Sequence, residues 1–358
     1  MNRVYNESYL FMEPHHEVNP QNPVTAYWMT QQYAQMEREL AFPETQDKAV
    51  WEQWKTALRS RLREIMYIDT WGDTARVPVY EVMEEIHRDN YLRQKICFES
   101  VPGNYAIAYL LIPEGIEGKT AAIVCPCGHT QNGVLTVVEP DLARQEGVGV
   151  AYAHEFAQRG CVAIALESAG YAQRDVPTQE RMPQFAYGCE MLYKRLNHMG
   201  RDLTGLRIFE QMLCLNLLCS LPMVDEKRVG CAGLSGGCWQ SQVLTALDDR
   251  IRAVILCGYF TTFAQTAWNG HCLCHHPHGI GKVCEMPDIS ALIAPRPQFV
   301  ESGAQDIVYQ TEPAYSMVKR AYVYHNAAEN LDIDVYEGGH LFNGRRSIPW
   351  MLEKLNVH

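Results

Sequence analysis

The stretch that decides the fold is residues 230–240, GCAGLSGGCWQ, in which an apolar run meets the glycines around Ser235. The run before Ser235, KRVGCAGL, is typical of a buried strand, and GGCWQSQVLTAL after it is typical of a helix. Residues 233–237 therefore satisfy Gly-x-Ser-x-Gly at a strand-to-helix turn. Such a turn gives the serine strained backbone angles, and its small neighbours let strand and helix approach closely. This context predicts that Ser235 is a nucleophile and not only a turn residue.

A serine nucleophile needs a base and a carboxylate that orients the base. His340 follows the predicted strand LDIDVYE after two glycines, and Asp306 follows the predicted strand PQFVES in the loop GAQD. Two other carboxylates, Glu301 and Asp288, are rival candidates for the acid. We expect Ser235, Asp306 and His340 to act together, as nucleophile, acid and base.

Two backbone amides are needed to bind the oxyanion that forms during acyl transfer. The amide of Gly236, at the start of the predicted helix, is the first. The loop GHTQNG at 128–133 follows a predicted strand and is rich in glycine and turn residues, so His129 or Thr130 is expected to supply the second. The His129 side chain is expected either to face the substrate or to fix the loop.

Apolar runs alternate with helical patterns from about residue 91 onward. A hairpin is predicted where RQKICFES and YAIAYLLIPEG flank VPGN, and strands such as TAAIVCPC, CVAIALES and RAVILCGYF follow between helices. Strands that are apolar throughout and separated by helices indicate a mainly parallel sheet covered on both faces. The predicted fold class is α/β, and the polar motifs fall where its strands end.

Residues 1–95 differ from the rest because two amphipathic helices are predicted there. In the second, DKAVWEQWKTALRSRLREIM, the apolar residues on one broad face are Val50, Trp54, Ala57, Leu58, Leu62 and Ile65. We expect residues 1–95 to form an N-terminal helical extension packed on the core, and to be a candidate contact in a homo-oligomer. Residues 96–358 are expected to form the catalytic domain.

These motifs resemble the α/β-hydrolase superfamily, and more narrowly its bacterial acetyl xylan esterase and dienelactone-hydrolase-like group. The resembling stretches are CGHTQNG, VDEKRVGCAGLSGG, MPDISALIAPRP, SGAQD and EGGH. The resemblance implies an α/β-hydrolase fold in which Ser235, Asp306 and His340 are the triad. It also implies hydrolysis of a carboxylic ester through an acyl-enzyme, with a short acyl group such as acetyl on a carbohydrate or small alcohol.

Candidate substrate-binding residues lie in the same predicted loops. Relatives often carry an aspartate where this chain has Glu167, and aromatic rings there can stack on sugar rings or be ordinary core residues. The candidates are Glu167, Tyr171, Tyr259, Trp268, His271 and Phe342.

Composition limits the classes of partner. The net charge of −11, from 31 basic and 42 acidic residues, argues against nucleic acid or an anionic membrane as the main partner. The first twenty residues lack the apolar core of a signal peptide, and the 13 cysteines then indicate reduced thiols, so we expect a cytoplasmic protein. No nucleotide-binding glycine loop is recognised, and no cofactor is expected.

Two other functions stay open. An amidase or peptidase would use the same triad. A metal-binding protein would use the segment HCLCHHPHGIGKVC at 271–284, whose histidines and cysteines are ligand types that zinc favours, although their spacing fits no familiar finger.

Overall fold

The apolar runs of the sequence form a single mixed sheet. The computed structural model describes residues 25–177, 180, 188–268, 271–306 and 310–357. Its strands are β1 (Tyr80–His87), β2 (Tyr91–Val101), β3 (Asn104–Pro113), β4 (Thr120–Val124), β5 (Val162–Leu166), β6 (Val224–Leu234), β7 (Ile251–Cys257), β8 (Gln298–Gly303) and β9 (Leu331–Tyr336).

The strand order across the sheet is β1-β2-β3-β5-β4-β6-β7-β8-β9. The first three strands pair antiparallel with one another, and β3 pairs antiparallel with β5. All pairs from β5 to β9 are parallel. The carboxyl ends of six strands therefore meet at one edge, and the loops that carry the sequence motifs begin there.

Helices cover both faces of the sheet, as the apolar strands predicted. They are α1 (Thr25–Gln35), α2 (Lys48–Ile65), α3 (Leu135–Val138), α4 (Pro140–Gln145), α5 (Tyr152–Gln158), α6 (Gly188–His198), α7 (Leu203–Ser220), α8 (Gly236–Leu247), α9 (Phe263–Trp268), α10 (Ile280–Val283), α11 (Met286–Ala291), α12 (Ala314–Tyr324) and α13 (Ser347–Lys354). Within the described residues, no helix combines the length and the apolarity that crossing a bilayer requires.

Two buried cores lie on opposite faces of the sheet because successive strand residues point in opposite directions. Val124 and Val254 belong to the core that includes the buried faces of α2, α7 and α8. Ile123 and Ile255, one residue away in each strand, belong to the core formed with α5 and α13. The parallel strands are thus buried on both faces of the sheet.

The described part of the N-terminal extension packs against α8 and α11. The Arg59 guanidinium donates to the Ala246 carbonyl at 2.8 Å, and the Lys55 ammonium donates to the Ala294 carbonyl at 2.6 Å. The amide of Phe42 donates to an Asp288 carboxylate oxygen at 2.8 Å. These contacts link the extension to the helix that follows the predicted nucleophile, while a subunit contact through the extension stays a prediction.

The structure differs from the sequence-based expectation in two places near the N-terminus. Residues 80–95 form β1 and the start of β2, so the strands begin inside the segment expected to be helical; β1 was missed because most of it is exposed. The buried face of α2 is also rotated from the predicted one. Val50 and Ala57 are exposed, whereas Trp51 is buried, since it packs on Phe42 and on the His325 ring.

Candidate active site

Ser235 lies at the sharp turn between β6 and α8. Its backbone angles are φ 57° and ψ −122°, a combination that L-residues rarely adopt and that costs about 1–3 kcal/mol. The Ser235 amide donates to the Cys257 carbonyl at 2.9 Å, which extends the pairing of β6 with β7. The strain is therefore held by the sheet itself, as expected for a nucleophile elbow.

Glycines let three backbone segments meet at this turn. A Cβ atom on Gly128 would lie 2.7 Å from the Leu234 carbonyl oxygen and 3.2 Å from the Ser235 Cβ atom. A Cβ atom on Gly237 would overlap the Pro126 carbonyl. The 125–130 segment, which follows β4, therefore lies directly against the serine.

His340 and Asp306 form a hydrogen-bonded pair at the same edge. His340 Nδ1 lies 2.7 Å from Asp306 Oδ2, and the Asp306 side chain is 1% exposed while that of His340 is 28% exposed. A Cβ atom on Gly258 would lie 3.0 Å from His340 Cε1, so the ring sits against the loop that follows β7. Ser235 and His340 line the same pocket.

The two rival carboxylates are engaged elsewhere. Glu301 accepts the Gly344 amide at 3.0 Å, together with the Asn343 amide and the Ser347 hydroxyl. Asp288 caps α11 by accepting the Glu285 amide at 2.7 Å. Glu301 thus holds the segment that follows His340, and Asp306 is the carboxylate that contacts the imidazole.

His275 is a second imidazole close to the elbow. A Cβ atom on Gly236 would lie 2.8 Å from His275 Nε2, which itself lies 3.1 Å from the Tyr171 hydroxyl. The His275 side chain is fully buried, and burial lowers its pKa to about 4. His275 has a phenol as its neighbour, whereas His340 has the carboxylate that a general base needs.

The segment expected to complete the oxyanion site is fixed at both ends. The Gln240 side chain donates to the carbonyls of Cys127 and Gly236, each at 3.2 Å. The Glu146 carboxylate accepts hydrogen bonds from the amides of Gln131 at 2.8 Å and Asn132 at 2.9 Å.

The Gly236 amide is the first of α8 and so has no acceptor within its own helix. The contribution of His129 or Thr130 as the second donor stays a prediction.

The pocket at Ser235 is small and partly apolar, with a volume of about 30 Å³. Its walls come from the 128–137 segment, the 148–152 segment, the elbow and the loop of His340. The lining residues are Gly128, His129, Thr130, Thr136, Val137, Val148, Val150, Tyr152, Leu234, Ser235 and His340. Of these, the valines and Tyr152 were not identified from the sequence.

A larger cavity of about 600 Å³ lies on another part of the surface. It is lined by residues of β2, β3, α6 and α7 and of the segment between β5 and α6, among them Tyr105, Arg174 and Leu206. None of Ser235, Asp306 and His340 lines it. This cavity is larger than the pocket at Ser235, but the smaller pocket is the one lined by Ser235 and His340.

The candidate substrate-binding residues lie mostly behind the pocket wall. Glu167, Tyr171, Tyr259 and Phe342 are all buried, and none of them lines the pocket. Phe342 stacks on Tyr152 with ring centroids 4.6 Å apart. It therefore packs as an ordinary core residue, one of the two roles that the sequence allowed for these aromatic side chains. The His271 ring stacks on His275 at 4.9 Å. The side chain of Trp268 lies outside the described residues, and contact of these residues with substrate stays a prediction.

The Glu167 carboxylate holds the 128–134 segment through a hydrogen bond. One of its carboxylate oxygens accepts the Val134 amide at 3.2 Å, and the side chain is completely buried. Burial raises the pKa of Glu167 to about 7, against the opposing effect of hydrogen bonds from Val134 and Gln173. Between about pH 4.5 and pH 7 the folded chain therefore keeps a proton that the unfolded chain has lost.

We expect the Glu167→Gln variant to be more stable than the parent at about pH 8, by up to roughly 3 kcal/mol. The parent should lose this stability as pH rises through the window from about 4.5 to 7, because only its unfolded state ionises readily there. Urea unfolding at several pH values measures the difference, with Glu353→Gln on the exposed side of α13 as the control. Parallel pH profiles for the parent and Glu167→Gln would contradict the expectation.

One histidine and three cysteines lie close together beside the pocket, and the sequence pointed to only some of them as metal ligands. Cys272 and Cys274 come from the segment proposed for metal binding, but their neighbours are His129 and Cys189, with all four ligand atoms within 4.8 Å of one another. Cys189 gave no signal in the sequence because it lies 83 residues from Cys272. The remaining histidines of the 271–284 segment lie outside this group of four.

Known proteins resemble this chain along most of its length. Residues 15–348 match the profile described as the Abhydrolase family. The "Putative hydrolase YtaP" of Bacillus subtilis (strain 168) is 23% identical over 209 residues, which cover 56% of this chain and 65% of that protein, slightly under two thirds of its length.

Solved structures share the fold at low sequence identity. A "putative acetyl xylan esterase" from Bacteroides fragilis NCTC 9343 aligns with a TM-score of 0.75 and 20% identity, over 96% of this chain and 92% of that one. A glucuronoyl esterase from Solibacter usitatus aligns at 0.60 and 13% identity, over 89% and 96% of the two chains. Acetyl Xylan Esterase 1 from Thermoanaerobacterium sp. JW/SL YS485 aligns at 0.53 and 17% identity, over 85% and 93%. These likenesses confirm the α/β-hydrolase fold expected from the sequence.

Proposed function

Because the chain belongs to the Abhydrolase family, we propose that it is a serine hydrolase that cleaves a carboxylic ester through an acyl-enzyme. The observation that carries the proposal is the His340–Asp306 hydrogen bond of 2.7 Å, in a pocket that His340 shares with the strained Ser235. A nucleophile, a base and an orienting acid in chain order Ser, Asp, His are the parts that acyl transfer needs.

In the proposed first step, the Ser235 hydroxyl attacks the ester carbonyl while His340 Nε2 takes its proton. Asp306 accepts a hydrogen bond from Nδ1–H, so the lone pair that takes the proton is on Nε2, and the carboxylate stabilises the imidazolium that forms. The imidazolium then gives its proton to the departing alcohol, and the acyl group stays on Ser235. Because Asp306 is almost completely buried, its charge acts on the imidazole with little screening by water.

The negative charge that develops on the carbonyl oxygen is expected to meet backbone amides. Gly236 offers the first amide of α8, where the helix dipole also favours an anion. The 128–130 segment, pressed against Ser235, is the proposed source of the second amide. In the second half of the reaction, His340 activates a water molecule that releases the acid and restores the serine.

The dimensions of the pocket favour a short acyl group. A site for one water occupies about 10–15 Å³ on the same measure, so about 30 Å³ holds roughly two groups of that size, close to an acetyl unit. Val137, Val148, Val150 and Leu234 present apolar surface to it. A methyl group fits such walls, whereas a longer chain would have to displace them.

For the alcohol, we propose a carbohydrate or another small polyol. The support comes from the fold neighbours, which are named as acetyl xylan and glucuronoyl esterases. The aromatic residues that the sequence suggested for stacking are buried, apart from Trp268, whose side chain is not described. Acetylated mono- and oligosaccharides are therefore the substrates to test first.

We expect kcat/KM on p-nitrophenyl esters to be highest for acetyl and to fall at least about a hundredfold by hexanoyl, because the added methylenes meet the valine walls. Steady-state rates across the series from acetyl to octanoyl measure this. Val148→Ala should shift the preference toward longer chains, and acetate release from acetylated sugars then tests the alcohol. A maximum at octanoyl would contradict the short acyl group, and faster cleavage of a matched acetanilide would favour an amidase.

A further inference from the structure

Four metal-ligand side chains converge beside the oxyanion segment. His129 Nε2 lies 3.4 Å from the sulfur of Cys189 and 3.3 Å from that of Cys274. The Cys272 sulfur lies 3.4 Å from that of Cys189 and 3.2 Å from that of Cys274. The four ligand atoms thus form a compact group drawn from three separate segments of the chain.

The separations suit a tetrahedral ion. Zinc bonds of about 2.3 Å to sulfur and about 2.1 Å to nitrogen place tetrahedral sulfurs about 3.8 Å apart, and sulfur and nitrogen about 3.6 Å apart. The four observed contacts of 3.2–3.4 Å are a few tenths of an ångström shorter. Outward movements of a few tenths of an ångström would bring these four pairs to the coordination distances. Three cysteines and one histidine are also a known structural zinc set.

The hydrogen bonds of His129 direct the required nitrogen toward the sulfurs. Its Nδ1 lies 3.2 Å from the Tyr171 hydroxyl oxygen, which also accepts a hydrogen bond from Arg207 at 3.3 Å. With the proton of His129 on Nδ1 and donated to Tyr171, the lone pair of Nε2 faces Cys189 and Cys274. Histidines that bind metals commonly donate their other N–H to an oxygen in this way.

A buried positive charge supplies an independent reason for anionic sulfur here. The Arg207 side chain is completely buried, and its guanidinium donates to the Ala169 carbonyl at 2.7 Å and to the neutral Tyr171 phenol. The same Tyr171 hydroxyl contacts His129 Nδ1 at 3.2 Å, so the guanidinium is linked to the group of four through one phenol. Three thiolates and one divalent cation leave one net negative charge, which balances the guanidinium.

We propose that His129, Cys189, Cys272 and Cys274 bind one zinc ion in a closed structural site. Binding would release the thiol protons to solvent and leave no coordination position for substrate. The ion would join the segment after β4, the start of α6 and the loop after α9. It replaces the histidine-rich set considered from the sequence, and it adds a metal to a chain for which no cofactor was expected.

The location gives the ion a positioning role. His129 lies between Gly128, which touches Ser235, and Thr130, so coordination would fix the segment proposed to hold the oxyanion. This consequence for turnover rests on the proposed function, whereas the metal site does not. Loss of the ion should therefore lower kcat by about tenfold to a hundredfold and change KM less.

The test is metal analysis of the full chain purified without a histidine tag. Elemental mass spectrometry should find about one zinc ion per chain in the parent protein. The Cys189→Ser and Cys274→Ser variants should each hold less than about a tenth of an ion per chain. Cys284→Ala is the matched control, because Cys284 is equally buried and lies outside the group, and it should keep the ion. Ser235→Ala should also keep it, which separates failure of this inference from failure of the proposed function.

A measurement on the unmodified chain covers the case in which the cysteine variants do not fold. A mercurial thiol reagent should release the zinc in proportion to the cysteines modified, and cobalt exchanged into the site should show sulfur-to-metal charge-transfer absorption. Absence of metal from the native protein, or a disulfide between Cys189 and Cys272 in its mass spectrum, would overturn the proposal. Equal zinc content in all cysteine variants would overturn it as well.

Discussion

Replacing Ser235 by alanine should lower kcat for p-nitrophenyl acetate by about 10⁵ to 10⁶. The hydroxyl is the only part lost, and alanine adopts the strained turn at a cost similar to that of serine because both carry a Cβ atom. The fold should therefore survive, which circular dichroism can check. A residual rate about 10³ above that in water is expected from the pocket and the amides alone.

Covalent labelling identifies the nucleophile separately from the rate. A fluorophosphonate should modify Ser235 in the parent and leave the Ser235→Ala variant unlabelled, as peptide mapping would show. Ser241→Ala is a suitable control, because Ser241 is buried in the same helix, α8. The assignment would be wrong if the label maps to another serine, or if Ser235→Ala keeps more than about a tenth of the parent activity.

Replacing Asp306 by asparagine should lower kcat by about 10⁴ with little change in KM. The amide is nearly the same size, but its NH₂ group can face His340 Nδ1 and hold the imidazole in the tautomer that cannot take the serine proton at Nε2. It also removes the charge that stabilises the imidazolium. Steady-state rates on the acetyl ester measure the loss.

The Glu301→Gln variant is the control for the choice of acid. Glu301 accepts hydrogen bonds from the Gly344 amide and the Ser347 hydroxyl, so its replacement should lower the free energy of unfolding. At a temperature where the variant is folded, its kcat should change little. A loss of less than tenfold in Asp306→Asn, together with a large loss of kcat in folded Glu301→Gln, would reverse the assignment.

The parallel part of the fold was predictable because each strand is an apolar run between turn signals. The loops after those strands could be placed at one edge by the rule for parallel sheets, and Ser235, Asp306 and His340 followed from that rule. β1 could not be found in this way. Its sequence, YEVMEEIH, forms a strand because it pairs with β2, and charged residues there face solvent.

Contacts between distant segments explain what the sequence did not reveal about the site. Cys189 lies 60 residues from His129, so no spacing motif links them. The sequence suggests Tyr171 as a substrate contact because it follows a predicted strand, and the structure places its hydroxyl in contact with His129, His275 and Arg207. Position at a strand end predicts proximity to the site, but the direction of the side chain depends on packing.

The bridge between Gly149 and Phe342 connects the valine wall to the loop of the base. The Phe342 amide donates to the Val148 carbonyl at 2.9 Å, and the Val150 amide donates to the Phe342 carbonyl at 3.0 Å. Phe342 is only two residues after His340. An acyl chain that pushes Val148 and Val150 outward would therefore also move the imidazole away from the serine. Substrates with long acyl chains would bind but acylate Ser235 slowly. Selectivity would therefore appear in the rate of acylation and not in the affinity for substrate.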